Sequence, residues 1–224
     1  MTFVTGIALE MVSFDVDGTI LRGRILNYLR IPMECHDQIE AFHESYHKGI
    51  LGYEETLRAQ FSLLAGMKVS EIVPRLADLP LVGDLRATLE RLSVRGVRAV
   101  ILTDNPSFAV DPMRSCGFKD VIASEIETEG GLLTGKIRLL TNKLHALRKY
   151  CVDDGVDITH CAHVGDGFND VVAFRGLGLS IAFNSREDEA SRAATYRVNS
   201  DSMFDVYRIL EMNLGKQPDD SDSQ

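Results

Sequence analysis

Apolar and polar positions along the chain fall into two textures. From Arg22 to Pro80 the pattern is helical, with no convincing strand: Tyr53, Leu57, Phe61 and Leu64 form one stripe, and Glu54 and Arg58 stand i,i+4 as an exposed pair. On either side of this block the pattern alternates. Met11, Val12 and Phe14 make an apolar run of strand type. Asp84 can N-cap a helix carrying Leu85, Leu89 and Leu92 and ended by Gly96, after which Val97 to Leu102 is nearly continuous apolar. The rhythm continues with a short strand at 121–123, a helix at 142–150, a strand at 160–164, a helix from Asn169 and a strand at 179–183. Glu129 to Ile137, EGGLLTGKI, reads as a β-hairpin with two Gly-centred turns flanking Leu132 and Leu133. This pattern predicts an α/β fold: a doubly wound, mainly parallel, Rossmann-like sheet covered on both faces, built from residues 1–23 and 81–214, with an all-helical insertion over 24–80. The polar, acidic stretch 215–224 is expected to be disordered.

Composition narrows the function classes. With 45% hydrophobic and 25% charged residues, the 224-residue chain has the make-up of an ordinary soluble protein able to bury a full core. A net charge of -9 argues against a general nucleic-acid or anionic-membrane binder, though a locally basic pocket remains open. The four cysteines, Cys35, Cys116, Cys151 and Cys161, form no CxxC pair and read as reduced thiols of a cytoplasmic protein. The apolar N-terminus lacks a basic n-region and predicts neither a signal peptide nor a membrane span.

The candidate chemistry lies at strand ends, where parallel sheets bind their ligands. After the first strand come Asp15, Asp17, Gly18 and Thr19. In an extended chain the two carboxylates share a face, which is tolerable if a cation sits beside them or if one stays protonated and serves as an acid. An Asp-rich turn with glycine at positive φ would look the same. Thr103 and Asp104 follow the apolar run 99–102. Lys143 falls in the first turn of a helix for which Thr141 is the expected cap. A cation there is disfavoured by roughly 0.3–1 kcal/mol, so either an anion compensates it or it is an exposed, water-screened lysine. GDGFND, Gly165 to Asp170, leaves one strand and enters a helix, with Asp166 and Asp170 able to reach one site as hard oxygen ligands.

DVDGT, a strand-end Thr, a helix-start Lys and GDGxND, in that order, resemble the haloacid-dehalogenase superfamily of phosphatases. Within it the chain is similar to the phosphoserine-phosphatase group: the helical insertion follows the first motif, GYEETLRAQFSLLAG resembles that group's cap helix, and LLTGKI precedes the lysine. The resemblance implies an Mg²⁺-dependent phosphomonoester hydrolase acting on a small phosphorylated metabolite. Asp15 would be the nucleophile and Asp17 the general acid and base. Gly18, Thr19, Thr103 and Asp104 would hold phosphate oxygens, and Lys143 would neutralise charge. Mg²⁺ would be held by Asp15, the Asp17 carbonyl, Asp166 and Asp170, directly or through water, with Asn169 and Gly167 shaping the loop. A monomer or homodimer, and no nucleic-acid or membrane partner, are expected. The alternatives are a true phosphoserine phosphatase, a non-catalytic phosphate binder and a phosphotransferase.

Departures concentrate at the substrate end. The group's glutamate nine positions after the nucleophile corresponds to Arg24, its cap arginine to Gln60, and its Ser-Gly-Gly to Thr103-Asp104-Asn105-Pro106. The residues therefore predict altered substrate binding, with Arg22, Arg24 and Arg58 favouring a phosphate ester that carries another anionic or strongly hydrogen-bonding group, such as a sugar phosphate or phospho-acid, and disfavouring free L-phosphoserine. His43 to His47, HESYH, also fits the HExxH zinc-protease pattern, but no third ligand is evident and the expected role is a surface one.

Overall fold

The computed structural model describes residues 8–140 and 142–214. The chain order is β1 (Met11–Phe14), α1 (Met33–His47), α2 (Tyr53–Ser62), α3 (Val69–Ile72), α4 (Leu85–Val94), β2 (Arg98–Pro106), α5 (Ser107–Val110), β3 (Asp120–Glu129), β4 (Leu132–Arg138), α6 (Lys143–Asp154), β5 (Cys161–Gly165), α7 (Val171–Gly176), β6 (Leu179–Phe183), α8 (Asp188–Ala193), β7 (Tyr196–Val198) and α9 (Met203–Asn213). Seven strands form one sheet in the order β4-β3-β2-β1-β5-β6-β7, parallel except for the β3–β4 hairpin. β1 is central, with Phe14 in register with Ile101 of β2 on one side and Val164 of β5 on the other. The winding direction reverses beside β1, so the carboxyl ends of β1, β2 and β5 open onto one crevice.

Alternation along the central strands feeds two cores. Val12, Phe14, Ala99 and Ile101 pack with residues of α4 and α9, including Leu89, Leu92, Val206 and Leu210. Met11, Val100 and Leu102 pack on the opposite face with Leu147 and Cys151 of α6. The stripe on α2 buries Phe61 and Leu64 in the first of these cores, and the Glu54–Arg58 pair forms on its outer face at 3.8 Å.

Several local expectations are revised. Asp84 precedes α4, but its carboxylate caps α9: it accepts from Ser202 Oγ and from the amides of Met203 (2.8 Å) and Phe204 (3.1 Å). The strand expected at 121–123 runs over Asp120–Glu129, because pairing with β4 extends it past the parallel sheet. Only the first Gly pair of the hairpin is a turn. Gly135 lies within β4 at φ +80°, and a Cβ there would stand 2.9 Å from the Ser62 carbonyl, so this glycine lets β4 touch the end of α2. The hairpin is thus the platform of the helical segment, held further by Gly66 N–H donating to Leu133 O (2.8 Å) and Leu133 N–H to Met67 O (2.9 Å). α6 is capped by Asn142, whose side chain accepts from His145 N–H (2.9 Å), while Thr141 and the tail 215–224 lie outside the described residues. Among the described residues no helix is long and apolar enough to cross a membrane.

Candidate active site

β1 ends by delivering Asp15 into the crevice, and α6 begins by delivering Lys143 to the same point. The Lys143 ammonium, 1% exposed, donates to Asp15 Oδ1 at 2.9 Å and to Asp170 Oδ1 at 2.6 Å. Burial works against its charge, but Asp15, Asp170 and Asp104 outweigh that effect and hold it protonated. Two carboxylates are thus the anions that make a lysine tolerable at a helix start.

Asp170 is saturated. Its Oδ1 accepts from Lys143 and faces His163 Nε2 at 2.8 Å, while its Oδ2 accepts from the amides of Asp166 and Gly167, both at 3.0 Å. Burial alone would raise its pKa, but Lys143 and His163 hold the carboxyl well below its ordinary range. His163 is buried in β5, stays neutral because burial lowers its pKa, and meets Ser13 Oγ through Nδ1 at 2.9 Å. A chain of buried contacts therefore runs from β1 through β5 to the GDGFND loop and α6. Gly165 permits it, since a Cβ there would stand 2.3 Å from the Asp170 carboxylate.

Asp15, Asp166 and Asp170 each bring one carboxylate oxygen to within 4.8 Å of the others. Burial, with the neighbouring charges of Asp170 and Asp166, pushes Asp15 up against the opposing pull of Lys143. Burial and Asp170 push Asp166 up to about 7. A crowded set of hard oxygens with more negative charge than one lysine offsets suits Mg²⁺. Gly18, at φ +75°, makes the approach possible: a Cβ would lie 2.2 Å from Asp166 Oδ2. Gly18 and Thr19 were expected to hold phosphate, but the Gly18 amide donates to Gly23 O (3.0 Å) and Thr19 Oγ1 donates to Asp166 Oδ1 (3.2 Å). In this arrangement the Gly18 amide closes its own loop and the Thr19 hydroxyl supports Asp166.

Asp17 accepts from Ile25 N–H at 2.8 Å. Burial pushes its carboxyl above the ordinary value, against hydrogen bonds from Ile25 and Asn105 and the charges of Arg24 and Lys143. Thr103 is buried, and its Oγ1 accepts from the Asn105 amide (3.3 Å) and side chain (3.2 Å), leaving its own proton to donate. Asp104 Oδ2 accepts from Tyr53 O–H of α2 (2.8 Å) and from Asn169 Nδ2 (2.9 Å), so one carboxylate ties the helical insertion to two strand-end loops.

A cavity of about 1220 Å³ opens over these groups, lined among others by Asp15, Asp17, Thr103 and Asp166 from the sheet side and His43, Tyr46, Tyr53 and Gln60 from the insertion. Arg24 lines it but is ion-paired with Glu40 of α1, which offsets its charge. Gln60 is buried and donates to Ile39 O (3.0 Å), so its amide links α2 to α1. Arg22 is held by Asp201 at 3.0 Å, and Arg58 faces away from the cavity, donating to Ile137 O of the hairpin (2.9 Å). Two lining arginines escaped sequence reasoning: exposed Arg186 and Arg197, at the β6 and β7 side, have no carboxylate partner among the described residues. His163 also went unread, and a lone histidine inside the apolar run CAHVG was the available signal; Asn105 was noted only within the segment that replaces Ser-Gly-Gly.

The model of the haloacid dehalogenase-like hydrolase family matches residues 12–175. Phosphoserine phosphatase SerB2 of Mycobacterium tuberculosis is 30% identical over 182 residues, covering 79% of this chain and 44% of that protein. The phosphoserine phosphatase of Methanocaldococcus jannaschii is 23% identical over 179 residues, covering 78% of this chain and 85% of that one. This chain therefore spans less than half the length of the mycobacterial relative. A solved substrate-bound phosphoserine phosphatase complex shares the fold, with a TM-score of 0.74 at 20% identity over 90% of this chain and 98% of that one. The family match runs from β1 into α7 and takes in every strand-end loop of the crevice, and the chain belongs to the haloacid dehalogenase-like hydrolase family.

Proposed function

We propose that this protein is an Mg²⁺-dependent phosphomonoesterase in which Asp15 is the nucleophile. The observation that carries the reading is the buried cluster in which Lys143 bridges Asp15 and Asp170 while Asp166 converges on the same point. An Asp15 oxygen attacks phosphorus as the bond to the leaving oxygen breaks, and Asp17, whose carboxyl burial pushes above its ordinary value, gives that oxygen its proton. Asp17 then takes a proton from the water that attacks the aspartyl-phosphate, which releases phosphate and restores Asp15. Lys143 and the Thr103 hydroxyl hold phosphate oxygens. Asp15, the Asp17 carbonyl, Asp166 and Asp170 would hold Mg²⁺, which would supply positive charge to the phosphoryl oxygens. The segment 24–80 acts as a cap over the cleft, tied down through Tyr53.

The relatives named above are phosphoserine phosphatases, but a cavity of about 1220 Å³ leaves far more room than a serine fills. Arg24 is balanced by Glu40, so it does not decide against an ammonium, and the unpaired Arg186 and Arg197 are the groups that favour a larger, anionic leaving group. Hydrolysis of an aryl phosphate should require Mg²⁺ and fall to background in Asp15→Asn. Turnover that survives in that variant refutes the assignment. Comparing kcat/KM over a phosphometabolite panel tests the substrate class: a tenfold lead for L-phosphoserine over every anionic ester overturns it.

A further inference from the structure

The HESYH motif is left unused by the phosphatase chemistry, yet the structure gives its histidines a definite arrangement. His43 and His47 lie one turn apart on α1 and point their Nε2 atoms at each other, 3.0 Å apart, at the edge of the large cavity. Neither ring has another hydrogen-bond partner among the described residues, and the rings meet edge to face with centroids 4.4 Å apart. Glu44, the would-be base of a zinc protease, turns outward and pairs with Lys48 at 3.1 Å. The pair therefore offers two convergent imidazole nitrogens with no catalytic glutamate.

The separation has chemical meaning. Two metal–nitrogen bonds of about 2.05 Å span about 2.9 Å when they subtend a right angle and about 3.35 Å at the tetrahedral angle. The observed 3.0 Å lies close to both spans, so the two rings can share one Ni²⁺ or Cu²⁺ ion with little rearrangement. Both ions prefer imidazole, whereas the Asp15–Asp166–Asp170 set is all oxygen and suits Mg²⁺. Glu40, one turn before His43 on α1, is taken by Arg24, whose charge also acts on His43, so the carboxylate at hand is Glu187, on the loop before α8, close enough to feel His47.

We propose that His43 and His47 form a second metal site, separate from the carboxylate cluster, that chelates a nitrogen-preferring divalent ion and presents its open positions to the cleft. The site stands whether or not the phosphatase reading holds, because it rests on the two rings alone.

The test is titration of Ni²⁺ into the full-length protein saturated with Mg²⁺, followed by calorimetry, with Cu²⁺ as a second probe followed by electron paramagnetic resonance. One equivalent of Ni²⁺ should bind, and the Cu²⁺ spectrum should carry the splitting of two nitrogen ligands. His43→Gln and His47→Gln should each weaken Ni²⁺ binding at least tenfold. Asp166→Asn, Glu44→Gln and His145→Gln should leave it unchanged. Glutamine is a good helix former, and helix content by circular dichroism verifies that α1 persists in the two histidine variants. Wild-type affinity in either of those variants, or loss of binding in Asp166→Asn or Glu44→Gln, overturns the site.

Discussion

Asp15 and Asp17 stand two residues apart, yet their surroundings give them different work. Asp15 touches Lys143 at 2.9 Å, whereas Asp17 accepts from a backbone amide and is kept above its ordinary pKa by burial. If Asp17 carries the proton to the leaving oxygen, Asp17→Asn should lower kcat by about 10²–10⁴-fold on alkyl phosphates and by clearly less on aryl phosphates, whose leaving oxygens need no acid. Equal losses on the two classes would make Asp17 structural. Gly18 admits a second test at this scale. Gly18→Ala would drive a Cβ to 2.2 Å from Asp166 Oδ2 at a φ of +75°, so Mg²⁺ affinity should drop while the distant core stays folded. Unchanged affinity by calorimetry would show that Asp166 has room to retreat. These carboxylates were legible in the sequence because their motifs place them at strand ends. The partners of Arg24 and Gln60 were not: whether an arginine faces Glu40, or a glutamine faces a carbonyl, depends on how α1 and α2 pack, which no local pattern encodes.

Among the elements, the parallel strands and their helices could be read from apolar runs and caps, since each run is buried on both faces and must be continuous. The hairpin was legible as a hairpin but not as a support, because its role lies in Gly135 meeting Ser62 across the insertion. Asp84 shows the same limit: the residue sits at a helix start, yet its carboxylate reaches the start of α9. Burial raises its pKa, and the bonds from Ser202, Met203 and Phe204 together outweigh that and lower it. The sign follows: a depressed carboxylate contributes stability above its unfolded pKa of 3.8 and loses it as pH falls through the folded value. Asp84→Ala should cost about 1 kcal/mol at neutral pH, and in urea unfolding curves its deficit should begin to shrink below about pH 4 and vanish only below the depressed folded value. A deficit that persists there would assign it to packing. Between the insertion and the sheet, the Tyr53–Asp104–Asn169 tie orders the cavity wall. Tyr53→Phe should raise KM about tenfold, a loss of ~1.4 kcal/mol, with kcat less affected. A lowered Tm with unchanged KM would reduce the tie to a structural bond.

Across the whole molecule, the strand order brings together segments that are remote in sequence: residues 15–19 after β1, 103–105 in β2, Lys143 of α6 and the loop 166–170 after β5. An ion bound among them joins all these segments in the folded state and none in the unfolded one, so Mg²⁺ should stabilise the entire fold. At a hundredfold excess over Kd the gain is about 2.7 kcal/mol, or roughly 5–10 °C in Tm for a chain of this size. The gain should depend on pH through Asp166, whose carboxyl is raised to about 7 by burial and the Asp170 charge. Below that value a proton occupies the site and must leave before the ion binds, so affinity should fall up to tenfold per pH unit; above it affinity should level off. Asp15, also raised by burial, adds to the slope. The Mg²⁺-induced rise in Tm should therefore be several degrees smaller at pH 6 than at pH 8, and Asp166→Asn should remove both the rise and its pH dependence. A Mg²⁺ effect that is flat from pH 6 to 8 in the wild type, or that survives in Asp166→Asn, would place the ion elsewhere than at the end of β5.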